Sequence, residues 1–164
     1  MKKEIRIITE EQAYSRMARI CSRKEYAPFD IKQKLHRLNL SPDQIESIVK
    51  KLKTENYLSE ERFTRGFIKD KLHLNKWGKR KIEQALYQKK LPKELIEENF
   101  MEYDDEELSK SLQPILERKW KTIKGETDYI KTGKLIRFAL SRGFEMNDIT
   151  KCIDKMNLRE IEND

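Results

Sequence analysis

Apolar residues recur along this chain at helical spacing, and one short arrangement of them returns three times. Ile31, Leu35, Leu40 and Ile45 are matched 51 residues later by Ile82, Leu86, Leu91 and Ile96, and after a further 53 by Leu135, Ala139, Phe144 and Ile149. In each copy an apolar stripe runs into a short polar turn, and a second helix opens just beyond it. Repetition at a long period marks modular helical proteins, whose units bury one another's apolar faces. The pattern predicts an all-α protein: an elongated array, curved if successive modules rotate, of three tandem three-helix repeats at residues 9–54, 57–102 and 104–157.

Start signals sharpen the helices. Thr9 to Gln12 and Ser41 to Gln44 read as capping boxes, in which the hydroxyl accepts the third helical amide and the Gln side chain reaches back. Pro42 sits at the first helical position, where its missing N–H costs nothing. The first helix is predicted over about Glu10–Ser22, with Ala13, Met17, Ile20 and Cys21 inward, and Pro28 and Asp30 open the second. Ser59 caps a helix with Glu60 and Glu61 in its first turn, where the dipole favours acids. That helix is apolar on two faces, Phe63, Phe67 and Leu74 on one and Ile68 and Leu72 on the other, so it is expected to lie centrally and pack against an adjacent module. Pro114 falls inside the Leu108–Ile123 stripe, where an interior proline costs about 3 kcal/mol. Either the helix kinks or two helices meet at Gln113-Pro114. Gly125 to Asp128 mark a turn and a fresh start, and helices are predicted over about Gly133–Arg142 and Asn147–Met156.

Of 164 residues, 40% are charged and 37% hydrophobic, and the net charge is +7. Disorder is disfavoured because the apolar residues are periodic rather than sparse. A basic balance suits anionic partners, such as nucleic acid or a protein bound to it, and on charge alone it suits a merely soluble basic protein equally well. Cys21 and Cys152 lie far apart in apolar stripes, as buried thiols do in a reducing compartment. Residues 1–8 are too charged for a secretory leader and no run is long enough to span a bilayer, so a cytoplasmic location is expected.

Residues 57–101 carry a more specific signal. Tyr57-Leu58-Ser59-Glu60-Glu61-Arg62-Phe63, then Trp77-Gly78-Lys79-Arg80-Lys81-Ile82, Leu86 and Lys89-Lys90-Leu91 resemble the signature block of the bacterial RecX regulatory proteins. Arg137-Phe138-Ala139-Leu140-Ser141-Arg142-Gly143-Phe144 is similar to that family's last-repeat motif, and Ala13 through Arg23 fits its first helix. The likeness spans about residues 10–156. Ser59 stands where members often have an acid, and Lys90 where they often have glycine, so Lys90 is asked to take up a left-handed backbone conformation or to end its helix differently. The resemblance implies three-helix repeats and a modulator of the RecA recombinase that binds its filament on single-stranded DNA and inhibits it. Single-stranded DNA would be contacted directly or through the filament. A monomer with no cofactor, no membrane contact and no catalysis is expected. The alternative is a helical nucleic-acid-binding module without a recombinase partner.

Between Arg62 and Lys93 eleven bases face two acids. Arg65, Lys69, Lys76, Trp77, Lys79, Arg80, Lys81 and Lys89 are the candidate contacts there, joined by Lys131, Lys134, Arg137 and Arg142 in the last repeat. Phosphate neutralisation by such residues releases counterions. Solvation alone would explain a lysine-rich helical face, yet Lys79-Arg80-Lys81 opens a helix, where cations oppose the dipole. Trp77 could stack on a base, or serve as a partly buried anchor at a glycine turn, and Trp120 carries the same ambiguity. The acids from Glu94 to Glu107 are expected to be helix-start residues rather than a metal site, and His36 and His73 have no second ligand at metal spacing. Ser41 and Ser59 are caps with no activating base, and no glycine-rich phosphate loop is present.

Overall fold

A computed structural model describes residues 7–156. The charged stretch Met1–Arg6 and the end of the third expected repeat, at residue 157, lie outside the described residues. The described chain is helical: α1 (Glu10–Cys21), α2 (Pro28–His36), α3 (Pro42–Thr54), α4 (Glu60–His73), α5 (Lys79–Gln88), α6 (Lys93–Phe100), α7 (Asp105–Ser109), α8 (Leu112–Trp120), α9 (Asp128–Ser141) and α10 (Met146–Lys155). No described helix is long and apolar enough to cross a membrane.

The starts follow the predicted chemistry. Thr9 Oγ1 accepts the Gln12 amide at 3.1 Å while Gln12 accepts that of Thr9, and Ser41 and Gln44 repeat the arrangement. Ser59 accepts the Arg62 amide at 3.2 Å. Each cap satisfies amides that the helix itself leaves without a partner.

All twelve residues of the threefold pattern are buried, none more than 8% exposed. The turn inside each copy has a shared backbone solution. The residue just before Leu40, Leu91 and Phe144 is left-handed in every case: Asn39 at φ 58°, Lys90 at φ 59° and Gly143 at φ 96°. One position of the repeat therefore demands αL geometry, and the chain fills it with three different residues. Lys90 does adopt the conformation asked of it.

The chain divides into two compact units, the first comprising residues up to Gly66 together with Tyr87–Leu95, the second Phe67–Leu86 together with Ile96 onward. In the first, α3 packs on α1 and α2. Its core joins Ala13, Met17 and Cys21 with Ile31, Leu35, Ile45, Ile48, Leu52 and Leu58. In the second, α8, α9 and α10 pack mutually around Leu112, Leu116, Trp120, Leu135, Phe144 and Ile149. The middle helix α4 gives Glu60–Gly66 to the first unit and the rest to the second.

Three expectations need correction. The Leu108–Ile123 stripe is two helices, as one alternative held, but they part at Lys110-Ser111 rather than at Gln113-Pro114. Pro114 then sits in the first turn of α8, where its missing N–H removes no helical bond. Helix α9 begins at Asp128, at the fresh start expected over Gly125 to Asp128 and not at Gly133, five residues on, because the Thr127 hydroxyl caps it through the Ile130 amide at 3.2 Å. Leu74 does not join the Phe63–Phe67 face: α4 ends at His73, the chain turns left-handed at Lys76, and Leu74 is 75% exposed.

Candidate nucleic-acid and partner interface

Ten of the twelve candidate residues belong to the second unit; Arg65 and Lys89 belong to the first. The local frame of the second unit is a backbone junction between the start of α5 and the end of α9. The Gly78 amide donates to the Arg142 carbonyl at 2.8 Å, and the Arg80 amide to the Gly143 carbonyl at 3.1 Å. A Cβ built on Gly78 would lie 2.4 Å from the Gly143 carbonyl, so only glycine permits this approach. Trp77-Gly78-Lys79-Arg80 is thereby placed beside Arg142-Gly143-Phe144, joining the two motifs that stood 60 residues apart in the sequence pattern.

The junction also revises an electrostatic argument. Cations at the start of α5 oppose that helix's dipole, but the carbonyl end of α9 abuts the same place and favours them. Lys79-Arg80-Lys81 is thus less anomalous than sequence alone suggests, and its three side chains diverge. Lys79 lies 3.7 Å from Glu83 and over the Phe100 ring. Lys81 sits 4.3 Å from the centroid of Trp77, which Lys71 also approaches at 4.7 Å. Arg80 is exposed. Trp77 is half-buried beneath these two ammonium groups, in the anchoring role, and cation–π attraction holds them there. Trp120 is 1% exposed and belongs to the core, so it stacks on no base.

Several other candidates have structural partners. Lys89 lies 2.8 Å from Asp30, with both side chains under a third exposed. That pair ties the α5–α6 turn to α2, so Lys89 serves the fold. Arg65 approaches Glu61 at 3.9 Å, and Lys134 donates to the Lys124 carbonyl at 2.6 Å. Arg142 donates to the Asn75 carbonyl at 3.3 Å and lies over Phe138. Lys131 lies over Trp120 at 4.1 Å. Lys69, Lys76, Arg80 and Arg137 are exposed and make no side-chain hydrogen bond or ion pair among the described residues. Those four are the cations of the second unit's set most open to an anion. Lys71 was absent from the candidates, although its place on α4 within the basic run was a usable signal.

The acids do ordinary helix work. Asp104 caps α7, accepting the Glu107 amide at 2.7 Å. His73 lies 3.9 Å from Glu107 and 6.4 Å, centroid to centroid, from Tyr103. Burial, and then the Glu107 and Glu102 charges, push the Tyr103 hydroxyl above its usual range. Among the described residues no three metal-ligating side chains are gathered.

Comparison with known proteins fits this architecture. Family models described as the second and third three-helix domains of RecX match residues 59–98 and 105–153. The chain is 30% identical over 135 residues to a regulatory protein RecX of Clostridium beijerinckii, covering 81% of this chain and 62% of that relative. It is 30% identical over 143 residues to one of Mannheimia succiniciproducens, covering 86% and 92%. Among solved structures, a RecX regulatory protein superposes with a TM-score of 0.74 at 21% identity, over 89% of this chain and 72% of that one. RecX from Lactobacillus salivarius gives 0.73 at 18%, over 91% and 97%. The two matched domains and the 30% identity to relatives, one of them spanned over 92% of its length, place this chain in the RecX family of regulatory proteins.

Proposed function

We propose that this chain binds the filament formed by the RecA recombinase on single-stranded DNA and inhibits it, acting in the cytoplasm in DNA repair and recombination, as a monomer without cofactor or catalysis. The observation that carries the reading is the set of unpaired, exposed cations Lys69, Lys76, Arg80 and Arg137 in one unit. The relatives' shared description as regulatory proteins supports a role by binding. Three-helix repeats at 9–54, 57–102 and 104–157 suit a partner that is itself periodic. Each repeat adds a modest contact, and tethering multiplies them.

The filament offers phosphates and carboxylates together, and guanidinium groups recognise both through paired hydrogen bonds. The test is recombinase ATP turnover on single-stranded DNA, titrated with this protein at two salt concentrations. Wild type lowers turnover, more strongly at low salt. Arg80→Glu with Arg137→Glu raises the half-inhibitory concentration roughly tenfold or more, and each lost phosphate contact flattens the salt slope by about 0.7. Unchanged inhibition by the double variant removes these residues from the interface. Binding to single-stranded DNA that does not rise when recombinase is added favours a plain nucleic-acid-binding module instead.

A further inference from the structure

The second unit holds a cleft of about 430 Å³ between the end of α4 and the α7–α8 corner. Its size falls within the range of ligand sites, whose volumes run from about 300 to 1,000 Å³. Leu72, Pro114 and Ile115 supply an aliphatic floor, and Lys76, Lys110 and Arg118 stand around it. These three cations are exposed and make no side-chain hydrogen bond or ion pair among the described residues. The one carboxylate in the wall, Glu107, faces His73 at 3.9 Å. Two further features mark the place. Lys76 is held left-handed at φ 58°, a strained conformation for a residue with a side chain. The Ser111 Oγ, part of the same wall, is buried with no hydrogen-bond partner, which is uncommon in native proteins.

We propose that this cleft binds an acidic peptide segment of a protein partner, one apolar side chain entering the Leu72–Pro114–Ile115 floor while flanking carboxylates meet Lys76, Lys110 and Arg118. The charge of the rim selects an anion, and the floor distinguishes which kind. A nucleic-acid strand is held by aromatic side chains on which its bases stack; no Phe, Tyr or Trp lines this cleft, and its one ring, the His73 imidazole, faces Glu107. An aliphatic floor ringed by exposed cations instead suits an apolar anchor between carboxylates, the arrangement that gives peptide interfaces both affinity and register. Rotation about one bond turns the Ser111 O–H toward an incoming carboxylate and satisfies it. Lys76 belongs both to this cleft and to the exposed cations of the filament reading, but Arg80 and Arg137 are not among the residues that line it, and the proposal does not depend on that reading.

The probe is a fluorescein-labelled peptide, Asp-Glu-Phe-Glu-Asp, followed by fluorescence anisotropy with the full chain. Saturable binding is expected, weakened roughly tenfold or more when the peptide's Phe becomes Ala. Lys110→Glu with Arg118→Glu lowers affinity by a similar factor. Ile115→Asp does likewise, by placing a like charge on the floor. Circular dichroism verifies that these variants fold; Lys110 and Arg118 are exposed, so that double variant is the one to rely on. Arg80→Glu with Arg137→Glu leaves peptide binding unchanged. No saturation up to about 1 mM, equal binding of the Ala peptide, or indifference to Lys110→Glu with Arg118→Glu would each overturn the proposal. So would full displacement of the peptide by an equimolar thymidine oligonucleotide, which would make the cleft a nucleic-acid site.

Discussion

Lys90 offers a direct measure of what the repeat's turn costs. A left-handed conformation costs a residue with a Cβ about 1–2 kcal/mol, and Lys90 sits there at φ 59° with its side chain exposed. Lys90→Gly removes that cost but gives the unfolded chain more freedom, which takes back about 0.4–1 kcal/mol. The net gain is about 0.5 kcal/mol. Lys90→Val acts oppositely, because a β-branched side chain suits this region worse than lysine does, and the loss is about 1 kcal/mol or more. The two variants should then differ by about 1.5 kcal/mol or more in urea unfolding at constant m, or roughly 3–6 °C in melting temperature. Lys32→Gly is the control. Lys32 is exposed within α2, and the same exchange there costs about 0.7–1 kcal/mol. A Lys90→Gly variant that loses as much stability as Lys32→Gly, or a Lys90→Val variant as stable as wild type, would refute the claim that backbone strain sits at this turn.

Gly78→Ala should destabilise the second unit by about 2 kcal/mol or more, since its Cβ would meet the Gly143 backbone at 2.4 Å; thermal unfolding reads the loss, and wild-type stability would mean the junction is absent in solution. Lys89 and Asp30 should couple by about 1 kcal/mol, the upper end for a pair with this exposure. A double-mutant cycle with Lys89→Met and Asp30→Asn measures that coupling, which should decline at high salt. Burial, then the Glu25 charge, raises the Cys21 thiol to about 11. The folded chain keeps that proton between pH 9 and 11 while the unfolded chain releases it, so stability falls as pH climbs through this window. Cys21→Ala should flatten the fall, as denaturation midpoints across that range would report. In the native protein at pH 8, iodoacetamide should modify half-buried Cys152 before buried Cys21, which peptide mass mapping would show.

Local chemistry carried much of this fold in legible form. Hydroxyl caps at Thr9, Ser41 and Ser59 act within three residues of themselves, and the twelve repeat positions obey a period that any packed helix must respect. The αL demand at Lys90 could be read because the RecX signature that this stretch resembles often carries glycine there. Long-range pairing was not legible. Nothing near Lys89 points to Asp30, and nothing near Gly78 points to the carbonyls of Arg142 and Gly143. Charge runs therefore looked more uniform than they are: the triplet Lys79-Arg80-Lys81 separates into an acid-paired side chain, an exposed one and a ring cover. At α9 the turn signal of Gly125 to Asp128 marked the start while the periodicity did not, because Tyr129 and Ile130, exposed in its first turn, give no inward stripe.

The Gly78–Gly143 junction has a consequence for the birth of the molecule. A growing polypeptide leaves the ribosome from its N-terminus, and domains tend to fold as they emerge. Helix α5 can coil as soon as it appears, but the carbonyls that complete its first turn are made 63 to 64 residues later. Until then the amides of Gly78 and Arg80 must be served by water, and the apolar side of α5 lacks its final neighbours. The second unit is therefore finished late in translation, and pausing before residue 144 would prolong the interval in which a chaperone or protease could act on it.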